Sequence, residues 1–148
     1  MTTSSNPYSN QGDSRDTPAR LKLVALRVAL LNLHKKLIEM ERRDYEKEHG
    51  TVSTGELYQL VVGGEQFAWL HNISEFVVRI DEALMDKKPV TEELAGESMS
   101  LARKMFTPTE SGDAFQKKYF DAIQRDPAVV MEHAELARLF GAEPPEAS

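Results

Sequence analysis

The stretch LKLVALRVALLNLHKKLIEMERRDYEKE, residues 21–48, decides the fold. Leu23, Leu26, Leu30, Leu33, Leu37 and Met40 alternate at spacings of three and four, which puts apolar groups on one stripe of an α-helix. A helix with such a seam packs lengthwise against other helices. The chain is therefore read as all-α. Thr17-Pro18 supplies a start, with threonine as N-cap and proline at the first helical position. His49-Gly50 supplies a glycine stop. At 1.5 Å per residue the helix is on the order of 45 Å long.

Further helices follow from local signals. Ser53-Thr54-Gly55-Glu56 reads as a capping box ahead of Leu57, Leu60 and Val61, and Gly63-Gly64 ends that short helix. Residues 65–70, with Phe67, Trp69 and Leu70, read as a tight apolar 3₁₀ segment. Asn72 is expected to cap a third helix, with Ile73, Phe76, Val77, Ile80 and Leu84 inward and a Glu75–Arg79 pair outside. Asp86-Lys87-Lys88-Pro89 breaks it. Thr91 starts a fourth helix, predicted to turn Leu94, Leu101, Ala102 and Met105 inward. A fifth covers about residues 111–125, marked by Phe115, Tyr119, Phe120 and Ile123. Asp126-Pro127 opens a last one, lined by Val129, Val130, Leu136, Ala137 and Phe140 and ending at Gly141. No strand alternation and no internal repeat is found. The expected organisation is a disordered tail over 1–17, one bundle of five or six helices over 18–141, and a loose tail over 142–148.

Composition bounds the function. The chain has 148 residues, enough for a core without staples. It lacks cysteine, which excludes disulfides, a thiol nucleophile and thiolate metal sites, and fits a reducing compartment. The first residues hold no apolar signal-peptide core, and Lys22, Arg27 and Asn32 interrupt the richest apolar run, so no membrane span is expected and the cytoplasm is the default. The net charge of -6 argues against broad phosphate binding, and hence against a nucleic-acid-binding regulator. Arg20, Lys22, Arg27, Lys35, Lys36, Arg42 and Arg43 make the first helix basic, while the last third is acidic. Mutual complementation within the fold is the favoured reading over a basic partner-binding strip.

No motif specifies a reaction. There is no G-x-S-x-G turn, no S-x-x-K pair and no P-loop. Glu46 and His49 stand three apart, as in di-iron bundles, but a second copy is missing and no metal site or cofactor is expected. His133, on the apolar face of the last helix, reads as a core histidine. Asp44 continues the leucine seam where an apolar residue is due, with Tyr45 beside it; the ordinary alternative is a helix end held by Arg42–Glu46 and Glu39–Arg43 pairs. Trp69 beside Gly63-Gly64 reads as a plug at a helix junction, or as the rim of a pocket.

Five segments resemble a family of uncharacterised bacterial all-helical proteins with no assigned activity: Leu33-His34-Lys35-Lys36-Leu37, Arg43-Asp44-Tyr45-Glu46, Glu56-Leu57-Tyr58-Gln59-Leu60, Phe67-Ala68-Trp69-Leu70 and Ile80-Asp81-Glu82. The resemblance implies a bacterial cytosolic helical protein and carries over no catalytic residue. It adds Asp81 to Asp44, Tyr45 and Trp69 as a shared cluster.

Two functions are expected from these features. The first is a non-enzymatic helical interaction module, with a protein partner or a second copy of itself seated on a face made by Val24, Val28, Leu31 and Ile38. The second is a small-ligand or metal-binding protein, even an enzyme, with its site around Asp44, Tyr45, Trp69 and His71.

Overall fold

The computed structural model describes residues 17–141. The two expected tails, over 1–17 and 142–148, lie outside these residues except for Thr17. Six α-helices and one 3₁₀ segment make up the bundle: α1 (Pro18–His49), α2 (Thr54–Gly63), the 3₁₀ segment (Glu65–Leu70), α3 (His71–Met85), α4 (Glu92–Met105), α5 (Ala114–Arg125) and α6 (Pro127–Phe140). No strand occurs among the described residues. The all-α class and the long first helix are as expected from the seam.

Every member of the leucine seam is buried, from Leu23 to Met40. Around that seam α1 packs against α6, α3, α4 and the 3₁₀ segment. Thr17 Oγ1 accepts the Arg20 amide at 3.2 Å, and Pro18 leads the first turn. Gly50 ends the helix at φ 83°, a conformation that side chains resist. Capping boxes start α2 at Ser53–Glu56 and α5 at Asp113–Gln116. Between α4, α5 and the 3₁₀ segment lies an aromatic cluster. Phe106 meets Phe115 edge-on at 5.4 Å, and Phe115 stacks on Tyr119 at 5.9 Å.

Several local expectations are corrected. Asn72 does not cap α3. The 3₁₀ segment runs straight into it, Leu70 already has helical geometry, and no side-chain cap is used. A preceding helical turn supplies the carbonyls that a cap would otherwise replace. In α4, Leu94 and Leu101 are exposed, while Ala95 and Ala102 face inward. Two alanines seven residues apart let α4 approach α1 closely, and the leucines one position before them are turned out. Val130 of α6 is likewise exposed. The fifth helix begins at Ala114, where Asp113 is the cap. No ion pair joins Glu75 to Arg79 or Glu39 to Arg43 among the described residues. Arg79 instead lies over the Phe76 ring at 5.9 Å, and Arg43 reaches Asp126 at 2.6 Å.

That last contact fastens the first helix to the last. Asp126 is buried, caps α6 through the Ala128 amide at 2.9 Å, and receives the Arg43 guanidinium from α1. Lys22 pairs with Glu92 at 3.2 Å and Arg27 with Asp81, so part of the basic charge of α1 is matched within the fold.

Candidate functional site

One turn of α1 carries a charge into the interior. Glu41 follows Met40 at the edge of the seam, and only 8 % of it is exposed. Its two carboxylate oxygens accept different neutral donors. The Gln66 side-chain amide reaches one at 2.7 Å, and the Trp69 indole N–H reaches the other at 2.8 Å. Gln66 also donates to the Glu41 carbonyl at 2.9 Å. The 3₁₀ segment positions both donors, because its tight turns put residues 66 and 69 on one side. No cation among the described residues forms an ion pair with Glu41. A buried carboxylate held only by neutral donors is unusual, since burying charge is costly without a partner.

Above this carboxylate lies a cavity of about 340 Å³, lined by Met40, Glu41 and Trp69 on one side and by Lys117, Lys118, Asp121 and Arg125 of α5 on the other. Lys117, Asp121 and Arg125 repeat every four residues down one face of α5, and Lys118 flanks them. Arg125 is fully engaged, with Asp44 at 2.9 Å and Asp121 at 3.0 Å. Burial works against its charge, but the hydrogen bonds to Asp44 and Asp121 outweigh that and hold its pKa above the usual arginine value. Lys117 and Lys118 have no acceptor or ion-pair partner among the described residues. Among the described residues the cavity thus presents one anion and two cations without an ion-pair partner.

The residues singled out in the sequence are distributed over four places. Asp44 and Trp69 border this region, Asp44 through Arg125 and Trp69 through its indole on Glu41. Trp69 is half-buried and tilted against Phe115 at 5.4 Å, so it closes the helix junction and lines the cavity as well. Tyr45 points elsewhere, stacked on His49 at 4.0 Å. His71 stands at 3.0 Å from the Val61 carbonyl near the end of α2, where its Nε2–H fits as a donor. Asp81 is engaged by Arg27 further along α1. Glu46 and His49 do not converge on a metal position. Glu46 accepts the Val52 amide at 2.9 Å, which lowers its pKa, and so fastens the turn after α1. No group of three metal-ligating side chains occurs among the described residues.

Two histidine contacts were not legible as pairs. The Tyr119 hydroxyl lies 2.6 Å from His133 Nδ1, and burial raises the tyrosine pKa and lowers that of the histidine. Ser74 Oγ lies 3.3 Å from His34 Nε2, the beginning of a nucleophile–base pair, but no carboxylate orients His34 among the described residues. Burial, and secondarily the charge of His71, lower the His34 pKa. A second, mainly apolar groove of about 740 Å³ runs between the start of α1, α4 and the end of α6, where Arg103 donates to the Phe140 carbonyl.

Sequence reasoning missed Glu41, Lys117, Lys118 and Arg125. Glu41 sits within a charged run, where carboxylates usually face water, and its donors come from the 3₁₀ segment. No protein-family model, curated protein or solved structure matches the chain. The bacterial character implied by the resemblance therefore has no relative to rest on. No helix among the described residues is long and apolar enough to cross a membrane.

Proposed function

We propose that this chain is a non-enzymatic helical protein–protein interaction module that assembles with a second copy of itself. The observation that carries the proposal is an exposed apolar stripe on α1. Leu21, Val24, Val28 and Leu31 stay exposed at 52, 37, 48 and 38 %. Their spacing of three, four and three is that of a coiled-coil seam, on the side of α1 away from its leucine core. Ile38, expected on this face, is half-buried against the core and belongs to the fold.

The stripe continues on α3. Arg27 reaches Asp81 and His34 stands against Ser74, so α3 runs antiparallel beside α1. That register sets Leu31 level with Val78 and Val24 level with Met85, which are 53 and 82 % exposed. Together these six side chains offer on the order of 500 Å² of apolar surface. A standard interface takes about 800 Å² per partner, of which roughly 60 % is apolar. The patch is therefore close to what one side of a stable dimer needs.

Its centre favours a like partner. Arg27 and Asp81 give the patch one charge of each sign, each over a third exposed. The two already pair within one copy, and a two-fold axis through this point would set each pair against its equivalent, the self-complementarity an isologous contact requires. The lack of cysteine fits a reducing compartment, and we place the module in the cytoplasm.

Leu31→Asp tests the proposal by light scattering coupled to size exclusion, with circular dichroism alongside. The expected result is a monomer with unchanged helix content. A variant that remains dimeric would remove this reading.

A further inference from the structure

We propose that the cavity between Glu41 and α5 binds a small zwitterion of the α-amino-acid class. The ammonium group sits against Glu41, and the carboxylate against Lys117 and Lys118. This is a separate site from the dimer face, and it does not depend on it.

Around this cavity the fold leaves three charges without an ion-pair partner among the described residues. Glu41 is nearly fully buried and has two neutral donors but no cation. Each carboxylate oxygen can accept more than one hydrogen bond, so a ligand donor need not displace Gln66 or Trp69. A ligand ammonium supplies the missing positive charge in a partly desolvated place, where such a contact is strengthened. Across the cavity, Arg125 is already neutralised by Asp44 and Asp121, whereas Lys117 and Lys118 are not.

Ligands of a single sign fit less well. A simple anion meets the lysines but also the Glu41 carboxylate. A simple cation meets Glu41 and then the two lysine charges. A metal ion would have Glu41 and Asp121 as its carboxylates, one held by two donors and the other by Arg125. Only a molecule carrying both signs satisfies both walls. The volume of about 340 Å³ is at the small end of ligand pockets, which sets the size of the ligand.

Trp69 is the single tryptophan of the chain, so its indole N–H gives one unambiguous signal in a nitrogen–proton correlation spectrum. The twenty free L-amino acids, n-butylammonium and butyrate would each be titrated into the labelled full chain. The expected result is that at least one amino acid moves the Trp69 signal saturably, while either single-charge probe binds at least about tenfold more weakly. Lys117 and Lys118 are exposed on α5, so the double variant Lys117→Gln/Lys118→Gln is expected to keep the fold. It should lose at least about tenfold in affinity, as should Glu41→Gln where that variant folds. The proposal is overturned if no amino acid moves the signal, if butyrate binds as tightly as the best amino acid, or if the lysine variant binds like the parent.

Discussion

Removing the indole donor from Glu41 measures what the buried carboxylate needs. Trp69→Phe keeps an aromatic ring against Phe115 and deletes the N–H that reaches Glu41 at 2.8 Å. A hydrogen bond to a charged group contributes about 1.5–3 kcal/mol. The cavity lets some water reach Glu41, which favours the lower half of that range, about 1.5–2 kcal/mol. The loss corresponds to a fall in Tm of roughly 3–8 °C for a chain of this size. Lost packing of the larger ring adds to the raw figure, so a double-mutant cycle with Glu41→Gln isolates the part of the bond that depends on the carboxylate charge. Indole can only donate, so a glutamine at position 41 must turn its oxygen toward Trp69 and set its amide against Gln66. Urea denaturation followed by circular dichroism gives the four stabilities, and a constant m-value licenses the comparison. A coupling of about 1 kcal/mol or more is expected. Additive effects, within about 0.3 kcal/mol, would refute the claim that Trp69 holds the buried charge.

Three further outcomes follow from the geometry. Ala102→Leu forces a larger side chain into the fully buried seam between α1 and α4 and should cost about 1–3 kcal/mol by denaturant titration, whereas Leu101→Ala, one residue earlier and exposed, should change stability by less than about 0.5 kcal/mol. Gly50→Ala has free space around its added methyl but sits at φ 83°, so it should destabilise by about 1 kcal/mol from backbone strain alone, while Gly55→Ala, in the first turn of α2, should not destabilise. His34 and His133 both have pKa values lowered from 6.5 because burial favours the neutral ring; their contribution is fully present above pH 6.5 and is lost as pH falls through the lower folded-state values, so stability should drop as pH falls below 6.5, and His133→Gln should flatten that slope.

The sequence carried α1 unambiguously because its spacing rule holds over five turns, from Leu23 to Met40. The ends were legible where one residue type does one job: Thr17-Pro18, Ser53 with Glu56, Asp126-Pro127 and Gly50. In α4 the expectation held at Ala102 and Met105 and failed at Leu94 and Leu101, which share their seven-residue spacing with Ala95 and Ala102. Hydropathy favours the leucines, but close approach to α1 selects the alanines, and that distance is a tertiary quantity. Asn72 failed as a cap because the 3₁₀ segment before it was already helical. The site was half legible. Asp44 stood out by breaking the seam, yet its partner Arg125 lies on α5 and no local pattern links the two. Glu41 left no trace, because its burial comes from Gln66 and Trp69 folding over it. The exposed face was legible at Val24, Val28 and Leu31, since these exceed what one stripe needs; Ile38 was taken up by the core, and Val78 and Met85 joined only through the register of α3.

Sedimentation equilibrium of the untagged chain over a range of concentrations decides whether it self-associates. The expected result is a reversible dimer of twice the 16.7 kDa chain mass, converted to monomer by the double variant Val28→Asp/Leu31→Asp with its helix content intact. A chain that sediments at the monomer mass at every concentration would contradict it.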